Sequence, residues 1–418
     1  MQAIQLDSRT ILYTVVFLFV VGVIIGLGVV MNKSSVISTP SNIERIGQTR
    51  LPELEKLLNP YFKPKTPLQE QGLPSSQKAL VNFAPLTVLN PGYIGPTDNG
   101  VYKEAEGVAM ALKAGARCFV LPIDFHENSS LPKPAFPNAG EPCLLYRDVG
   151  GVIRSLNAGS ILKVSEALAN LAFNDIIPLK SDPLVLILYF VRTPQANTKE
   201  YLRYCSKVAR ELRPLQPYML GQAPEGVYNR QARQDELLYT DLSNLERKVI
   251  IMCNLDTTLF RNTKSVGISA VPPQEDLDFL VNLRLFSPVE PPLGATEKAS
   301  QNQFPRGYIE TLLYSINIPE DKRKETVETN RIRWIVGLQS DMPTQKDVSY
   351  VLEKIGVQCI PLPFYALTEA DKPLLEIWKK GSLAKPDALR FTRPEPIKPK
   401  EPSPKLNANK GQVSSPTF

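Results

Sequence analysis

Apolar residues along this chain fall into two alternating rhythms: short unbroken runs, and stripes spaced three to four residues apart. The runs are the signature of strands and the stripes that of helices. Leu80 to Leu89 (LVNFAPLTVL) predicts a first strand, ended by Asn90-Pro91-Gly92. Asn99 or Asp98 is placed to cap a helix carrying Val101, Ala105, Val108, Ala109 and Leu112, which Gly115 would end. Arg117 to Ile123 (RCFVLPI) reads as a buried strand, followed by a proline-rich loop from Asp124 to Pro142 and a short strand over Cys143 to Tyr146. Ser160 heads a helix with Ile161, Val164, Leu168, Leu171 and Ala172 on one face. Leu184 to Val191 (LVLILYFV) is the strongest strand signal, apolar on both faces as parallel strands covered by helices are.

The rhythm continues with a helical stripe from Leu202 to Leu212 and a strand at Val249 to Cys253 (VIIMC). It loosens over about 257–330, which reads as an irregular insert. Order returns with a strand at Ile332 to Leu338, a helix bearing Val348, Val351, Leu352 and Ile355, a strand at Val357 to Leu362, and a helix around Leu374 to Trp378. Such repeated alternation favours a parallel α/β architecture, and the span fits a (β/α)8 barrel of ~250 residues or more. No glycine-rich phosphate loop opens any of the helices, which disfavours a Rossmann or P-loop domain.

Three flanking segments break the pattern. Ile11 to Met31 (ILYTVVFLFVVGVIIGLGVVM) carries no charge. About twenty apolar residues at 1.5 Å rise cross a ~30 Å hydrocarbon core. The run exceeds a usual signal-peptide core and lacks a small-residue cleavage site after Met31, so it reads as an uncleaved, single-pass membrane anchor behind residues 1–10. Residues 32–76, polar and rich in proline with one amphipathic piece at Leu51 to Leu58, read as a stalk. Residues 77–381 then form the barrel domain, and 382–418 a solvated, disordered Pro/Lys-rich tail expected to bury nothing.

Composition changes this picture in a few places. The chain has 418 residues, enough for one large domain with appendages. The net charge is +6, and residues 383–418 hold seven Lys or Arg against three Asp or Glu, so most of the excess sits in the tail. A nucleic-acid-binding core would need a basic face on the folded part, and none is expected. Lys33, Arg45 and Arg50 follow the apolar run while Arg9 precedes it, which leans toward a cytosolic main domain. The five cysteines form no CxxC pair and mostly sit in apolar runs, which suggests reduced, buried thiols and neither zinc site nor disulfide framework.

The polar residues at the predicted strand ends are Asp124, His126, Glu127, Arg147, Asp148, Arg192, Asn254 and Asp256. In a (β/α)8 barrel these crowd the C-terminal face, where sites are built. His126 with Asp124 and Glu127 has the donor types for a metal or a lone general base; the plainer expectation is an exposed loop with a solvated histidine. Arg147 and Arg192 suit a phosphate group through charge-assisted hydrogen bonds, or, more simply, ion pairing to Asp148 and its neighbours. No cofactor or metal is implied.

Several segments resemble the X region of phosphoinositide-specific phospholipase C. Ala114-Gly115-Ala116-Arg117-Cys118 resembles that family's AGCRC run, and Pro142-Cys143-Leu144-Leu145-Tyr146 the approach to its Tyr-His-Gly. Asp182 to Leu188 is similar to its Tyr-Pro-Val-Ile-Leu-Ser-Leu strand, and Asp241 to Ile250 to its Leu-Lys-Gly-Lys-Ile-Leu ending. Gly337-Leu338-Gln339 and Gly356-Val357-Gln358-Cys359 resemble the later half of the same barrel. The resemblance implies a barrel of the phospholipase C-like phosphodiesterase type over roughly residues 80 to 365. It also implies catalysis by two histidines, yet His126 is the only histidine in the chain. Asn90-Pro91-Gly92 and Arg147 stand where the family histidines would fall, Val120 and Pro122 where its calcium-binding acids would fall, and Tyr189-Phe190 near a third acid.

The expectation is therefore a membrane-anchored barrel without that chemistry, acting as a structural or docking protein, in a cell membrane or as a minor membrane-linked component of a large virus particle. The alternatives are a phosphodiesterase with a rearranged site using Asp124, His126, Arg147 and Asp148, and a module that binds phosphoinositide head groups. Partners would be the bilayer through Ile11 to Met31, with anionic lipid or other proteins beyond it, and no nucleic acid.

Overall fold

A computed structural model describes residues 38–195, 199–220, 236–255, 257, 275–287, 307–339 and 341–394. Eight parallel strands form its centre: β1 (Leu86–Leu89), β2 (Ala116–Asp124), β3 (Leu184–Phe190), β4 (Val249–Cys253), β5 (Leu283–Phe286), β6 (Gly307–Thr311), β7 (Trp334–Leu338) and β8 (Pro361–Leu362). Each pairs with its sequence neighbour from β1 to β7, and β8 returns to pair beside β1 through Pro361↔Thr87 and Leu362↔Val88. The last gap, between β7 and β8, is spanned by the single bridge Val336↔Cys359. The result is a nearly closed parallel barrel.

The period-2 geometry of strands explains why the runs are apolar throughout. Cys118 and Val120 of β2, Val185 and Ile187 of β3, Ile250 and Met252 of β4, and Trp334 and Val336 of β7 fill the barrel interior. The alternate residues, such as Phe119, Leu121, Leu186, Leu188 and Ile251, form the outer core beneath the helices. The seam is stitched by Gln358, whose side chain is fully buried. Its Oε1 accepts from Ile335 N at 2.8 Å, and its Nε2 donates to Val81 O and Arg333 O, each at 2.8 Å.

Four helices pack around the first half: α1 (Pro40–Leu58), α2 (Glu104–Lys113), α3 (Ile161–Leu171) and α4 (Lys199–Glu211). Ser160 caps α3 as expected, its Oγ accepting from Lys163 N at 3.2 Å. The helix expected from Asn99 begins later, at Glu104, because Val101–Tyr102 is paired antiparallel with Tyr93–Gly95.

Three segment assignments need correction. Residues 38–76 are part of the fold, not a stalk. Thr39 Oγ1 accepts from Asn42 N at 3.3 Å and Pro40 occupies the first turn of α1, both start signals. Leu54, Leu58 and Tyr61 are buried in the outer core. Lys65 Nζ donates to Trp378 O at 3.2 Å and Lys379 O at 3.1 Å, and Leu68 is fully buried. The first turns of the tail are likewise folded: Leu383–Ala384 pairs with Phe83–Ala84, which splits the predicted first strand at Pro85. Lys385 is buried and donates to Asn330 O at 2.6 Å, and Arg393 N donates to Ser76 O at 2.8 Å. Finally, the supposed insert over 257–330 contains β5 and β6 of the barrel itself.

The end of the barrel opposite the strands' C-termini holds two buried ionisable side chains, Asp182 and Arg117. Asp182 accepts from Leu68 N at 3.1 Å, and Arg117 donates to Ala172 O at 2.8 Å. Burial pushes the Asp182 carboxyl up to about 6, with Ser382 and Arg117 opposing the rise.

Two outcomes follow. Leu58→Ala should destabilise the full chain by about 2–4 kcal/mol in urea unfolding, the cost of a core cavity, whereas a loose stalk would give close to zero. For Asp182 the folded pKa lies above the unfolded one. The stability this group contributes is therefore greatest below about pH 4 and is lost as pH rises through about 6. Unfolding midpoints across that window should decline more for the parent chain than for Asp182→Asn.

Candidate functional site

The polar cluster at the barrel mouth starts from strand parity. Asp124 ends β2 on the same face as Cys118 and Val120, so its carboxylate is drawn to the inner rim, where it is almost fully buried. Cys143–Leu144 runs back antiparallel along the end of β2 (Ile123↔Leu144, Asp124↔Cys143) and delivers Arg147. The β2–β3 register (Ile123↔Phe190) puts Arg192 on the other side.

Both arginines converge on Asp124. Arg147 Nε donates to Oδ2 at 2.6 Å and Arg192 Nε to Oδ1 at 2.9 Å, and Oδ1 also accepts from Phe125 N at 2.7 Å. Arg147 Nη1 donates to Gly151 O at 2.7 Å and Nη2 to Phe125 O at 3.0 Å. Arg192 Nη1 reaches Glu127 Oε1 at 2.7 Å, Nη2 donates to Phe125 O, and the guanidinium lies 4.6 Å from the Phe125 ring centroid. Burial opposes the Arg192 charge, but Asp124 and Glu127 outweigh it and hold its pKa above the ordinary value. Tyr204 OH donates to Asp124 O at 3.2 Å from α4. This ring of charge-assisted bonds satisfies itself.

The other candidates are not brought into it. Asp148 organises its own hairpin: Oδ1 accepts from Gly150 N at 3.0 Å and Val152 N at 2.9 Å, and Oδ2 from Arg154 Nε at 2.7 Å. The backbone of Val152 and then Arg154 hold this carboxyl below the usual range. The arginines therefore pair with Asp124, not with Asp148. His126 is buried, contrary to the exposed loop expected for it. Its Nε2 lies 3.1 Å from Pro137 O, its ring stands edge-on to Phe136, and its carbonyl accepts from Gly140 N at 2.8 Å. The proline-rich loop folds back over the histidine and encloses it. Asn254 links β4 to β3, accepting from Phe190 N at 2.8 Å and donating to Phe190 O at 3.0 Å. Asp256 lies outside the described residues.

The positions picked out by the resemblance are occupied by packing. Val120 is fully buried in the interior and Pro122 lies above it on the same strand face. Asn90 is buried with a left-handed backbone, and its Nδ2 donates to Tyr102 OH at 2.8 Å. Tyr189 packs against the interior cluster. Beside them lies a feature that sequence reasoning missed. Tyr93 stacks on Tyr146 with centroids 4.7 Å apart, and Tyr365 meets both rings edge-on at 5.0 and 5.1 Å. The three tyrosines come from three segments far apart in sequence, so no local spacing announces them. Among the described residues, no group of three or more His, Cys, Asp or Glu is arranged to hold a metal ion. All five cysteines are buried thiols, none of them in a disulfide.

Comparison with known proteins finds no matching family model and no matching curated protein. Solved structures do match. PLC21 from L. pealei is similar at 15% identity over 78% of this chain and 40% of its own, with a TM-score of 0.47. This chain thus spans about two fifths of that protein's length. A Ca2+-dependent phosphatidylinositol-specific phospholipase C from Streptomyces antibioticus is similar at 12% identity, covering 74% of this chain and 99% of that one, with a TM-score of 0.42. A calcium-dependent phosphoinositol-specific phospholipase C from Pseudomonas sp. is similar at 12% identity over 71% and 94%, with a TM-score of 0.39. At these identities the likeness is one of fold alone; the class the structure itself defines is a nearly closed parallel α/β barrel.

Removing the centre of the mouth cluster should be costly. Asp124→Ala leaves two guanidinium groups without their shared carboxylate and should destabilise the chain by about 3 kcal/mol. Arg147→Ala should cost less, because Arg192 and Phe125 N still hold the carboxylate; urea unfolding of the two variants side by side measures the difference.

Proposed function

We propose that this protein is a membrane-tethered phospholipase C-like barrel that works as a structural or docking module, without the two-histidine phosphodiester chemistry of the family it resembles. The observation that carries this reading is the self-satisfied mouth. Both carboxylate oxygens of Asp124 are taken by Arg147, Arg192 and Phe125 N. A phosphate entering between the arginines would have to displace a buried carboxylate, which would then lack partners. His126 is enclosed by the loop that carries it, and the inward positions beneath Asp124 are Pro122 and Val120. General acid–base catalysis needs a group within reach of the proton it moves. The tether is Ile11 to Met31, an uncharged run long enough to span a bilayer.

The full chain, reconstituted in vesicles containing phosphatidylinositol and its phosphorylated forms, tests the proposal with and without added Ca2+, Mg2+ or Zn2+. Release of soluble inositol phosphate should stay at the level of protein-free vesicles. Release above that level, lost in His126→Ala or Asp124→Asn, would overturn the proposal in favour of a rearranged phosphodiesterase.

A further inference from the structure

Two of the buried thiols meet inside the barrel. Cys118 belongs to β2 and Cys359 stands just before β8, and both are fully buried in the interior cluster. Their sulfurs lie 3.6 Å apart, although the residues are separated by 241 positions in the chain. A disulfide has an S–S length of about 2.05 Å, so each sulfur would need to move by less than about 1 Å. The strand between them is β1, whose Thr87 pairs with Cys118 on one side and with Pro361 on the other. A bond between the sulfurs would therefore tie β2 to the approach to β8 across β1.

In the closed barrel both sulfurs are out of reach of any reagent. Burial also pushes the Cys118 thiol up, away from the thiolate that reacts. The segment that carries Cys359 is nevertheless lightly held. Among the described residues β8 is the shortest of the eight strands, with two residues where the others have four to nine. One of the two, Pro361, has no N–H to donate. On the β7 side, Gln358 N and Cys359 N donate to Ile335 O at 3.2 and 3.1 Å, and Gly337 N donates to Cys359 O at 2.8 Å. Displacing this segment exposes Cys359 and opens the way to Cys118. Its return brings the two sulfurs back into contact.

We propose that Cys118 and Cys359 are a cross-link site, converted to a disulfide by exchange with a small disulfide such as oxidised glutathione. The displaced Cys359 thiolate attacks one sulfur of the glutathione disulfide, breaks its S–S bond and releases one glutathione thiolate. Before the segment has closed, the Cys118 thiolate attacks the Cys359 sulfur of the mixed disulfide and expels the second glutathione. The protein loses two electrons and two protons, and both appear in two molecules of reduced glutathione. In a reducing glutathione pool the pair stays a dithiol, and in an oxidising one it closes. The bond would hold the last strand to the first half of the barrel and restrict the unfolded chain over most of its length. This goes beyond the docking reading and depends neither on the tether nor on the chemistry of the mouth. It makes the rigidity of the barrel a function of the redox poise around it.

The full chain is incubated with oxidised glutathione at urea concentrations below its unfolding transition, where the short segment opens and recloses. Remaining thiols are then alkylated and the protein is digested for mass spectrometry. The expected product is a peptide pair joined through Cys118 and Cys359, ~2 Da lighter than the two reduced peptides together. The joined fraction should rise with urea, and the oxidised chain should unfold at a urea midpoint higher by roughly 1 M than the reduced one. That shift should vanish in Cys118→Ala and in Cys359→Ala and persist in Cys143→Ala. The peptide map is read on the parent chain, so it decides the matter even where a core alanine prevents folding. Cys118 and Cys359 both alkylated at every urea concentration, either one bonded to glutathione or to another cysteine instead, or a midpoint shift that survives Cys118→Ala would overturn the proposal.

Discussion

A parallel barrel is an open sheet until its two edges meet, and here a short backbone contact is reinforced by one side chain. β7 and β8 share a single backbone bridge, Val336↔Cys359. Gln358 supplies what the backbone does not, accepting from Ile335 N and donating to Val81 O and Arg333 O from a fully buried position. These three hydrogen bonds, made in a low-dielectric interior, satisfy Ile335 N on β7 and tie the seam to the carbonyls of Val81 and Arg333. Every helix packed on the outer surface presupposes that this seam is shut.

With the seam shut, the mouth is closed by side chains as well. The inward face of β2 proceeds from Cys118 through Val120 and Pro122 to Asp124, apolar until the rim. The carboxylate there is balanced by two arginines that spend their remaining donors on carbonyls and Glu127. At this mouth the donors and acceptors turn on each other. The parallel barrel is kept intact while the rim serves cohesion.

The strands that lie deepest were the most legible in the sequence. LVLILYFV and VIIMC are apolar on both faces because one set of residues lines the barrel and the other meets the helices. β5 and β6 were hidden because Arg284, Tyr308 and Glu310 interrupt their apolar runs with half-buried polar groups. α1 was hidden by Pro52 in its middle and by Gly47, a buried position whose covering comes from the Lys103 side chain instead of its own. The folded start of the tail was masked by its composition, since Lys385 is buried by donating to two carbonyls that only tertiary structure assembles. Of the candidate site, Asp124, Arg147 and Arg192 were each singled out, but their shared bonding was not. It follows from strand register and from the backward run of Cys143–Leu144, neither of which a linear pattern records.

The position of α1 also bears on how the chain assembles during synthesis. Arg50 donates to Tyr365 O at 3.1 Å, Tyr61 to Lys372 O at 2.9 Å, and Lys65 to Trp378 O at 3.2 Å. α1 thus finds these partners more than 300 residues later in the chain. Contacts of such long sequence separation close large loops late and slow folding. Until residues near 378 emerge, the apolar stripe of Leu54 and Leu58 has only part of its wall to pack against, and the nascent barrel carries a sticky flank. For this protein, α1 is held by contacts that cannot form until residues near 378 are made.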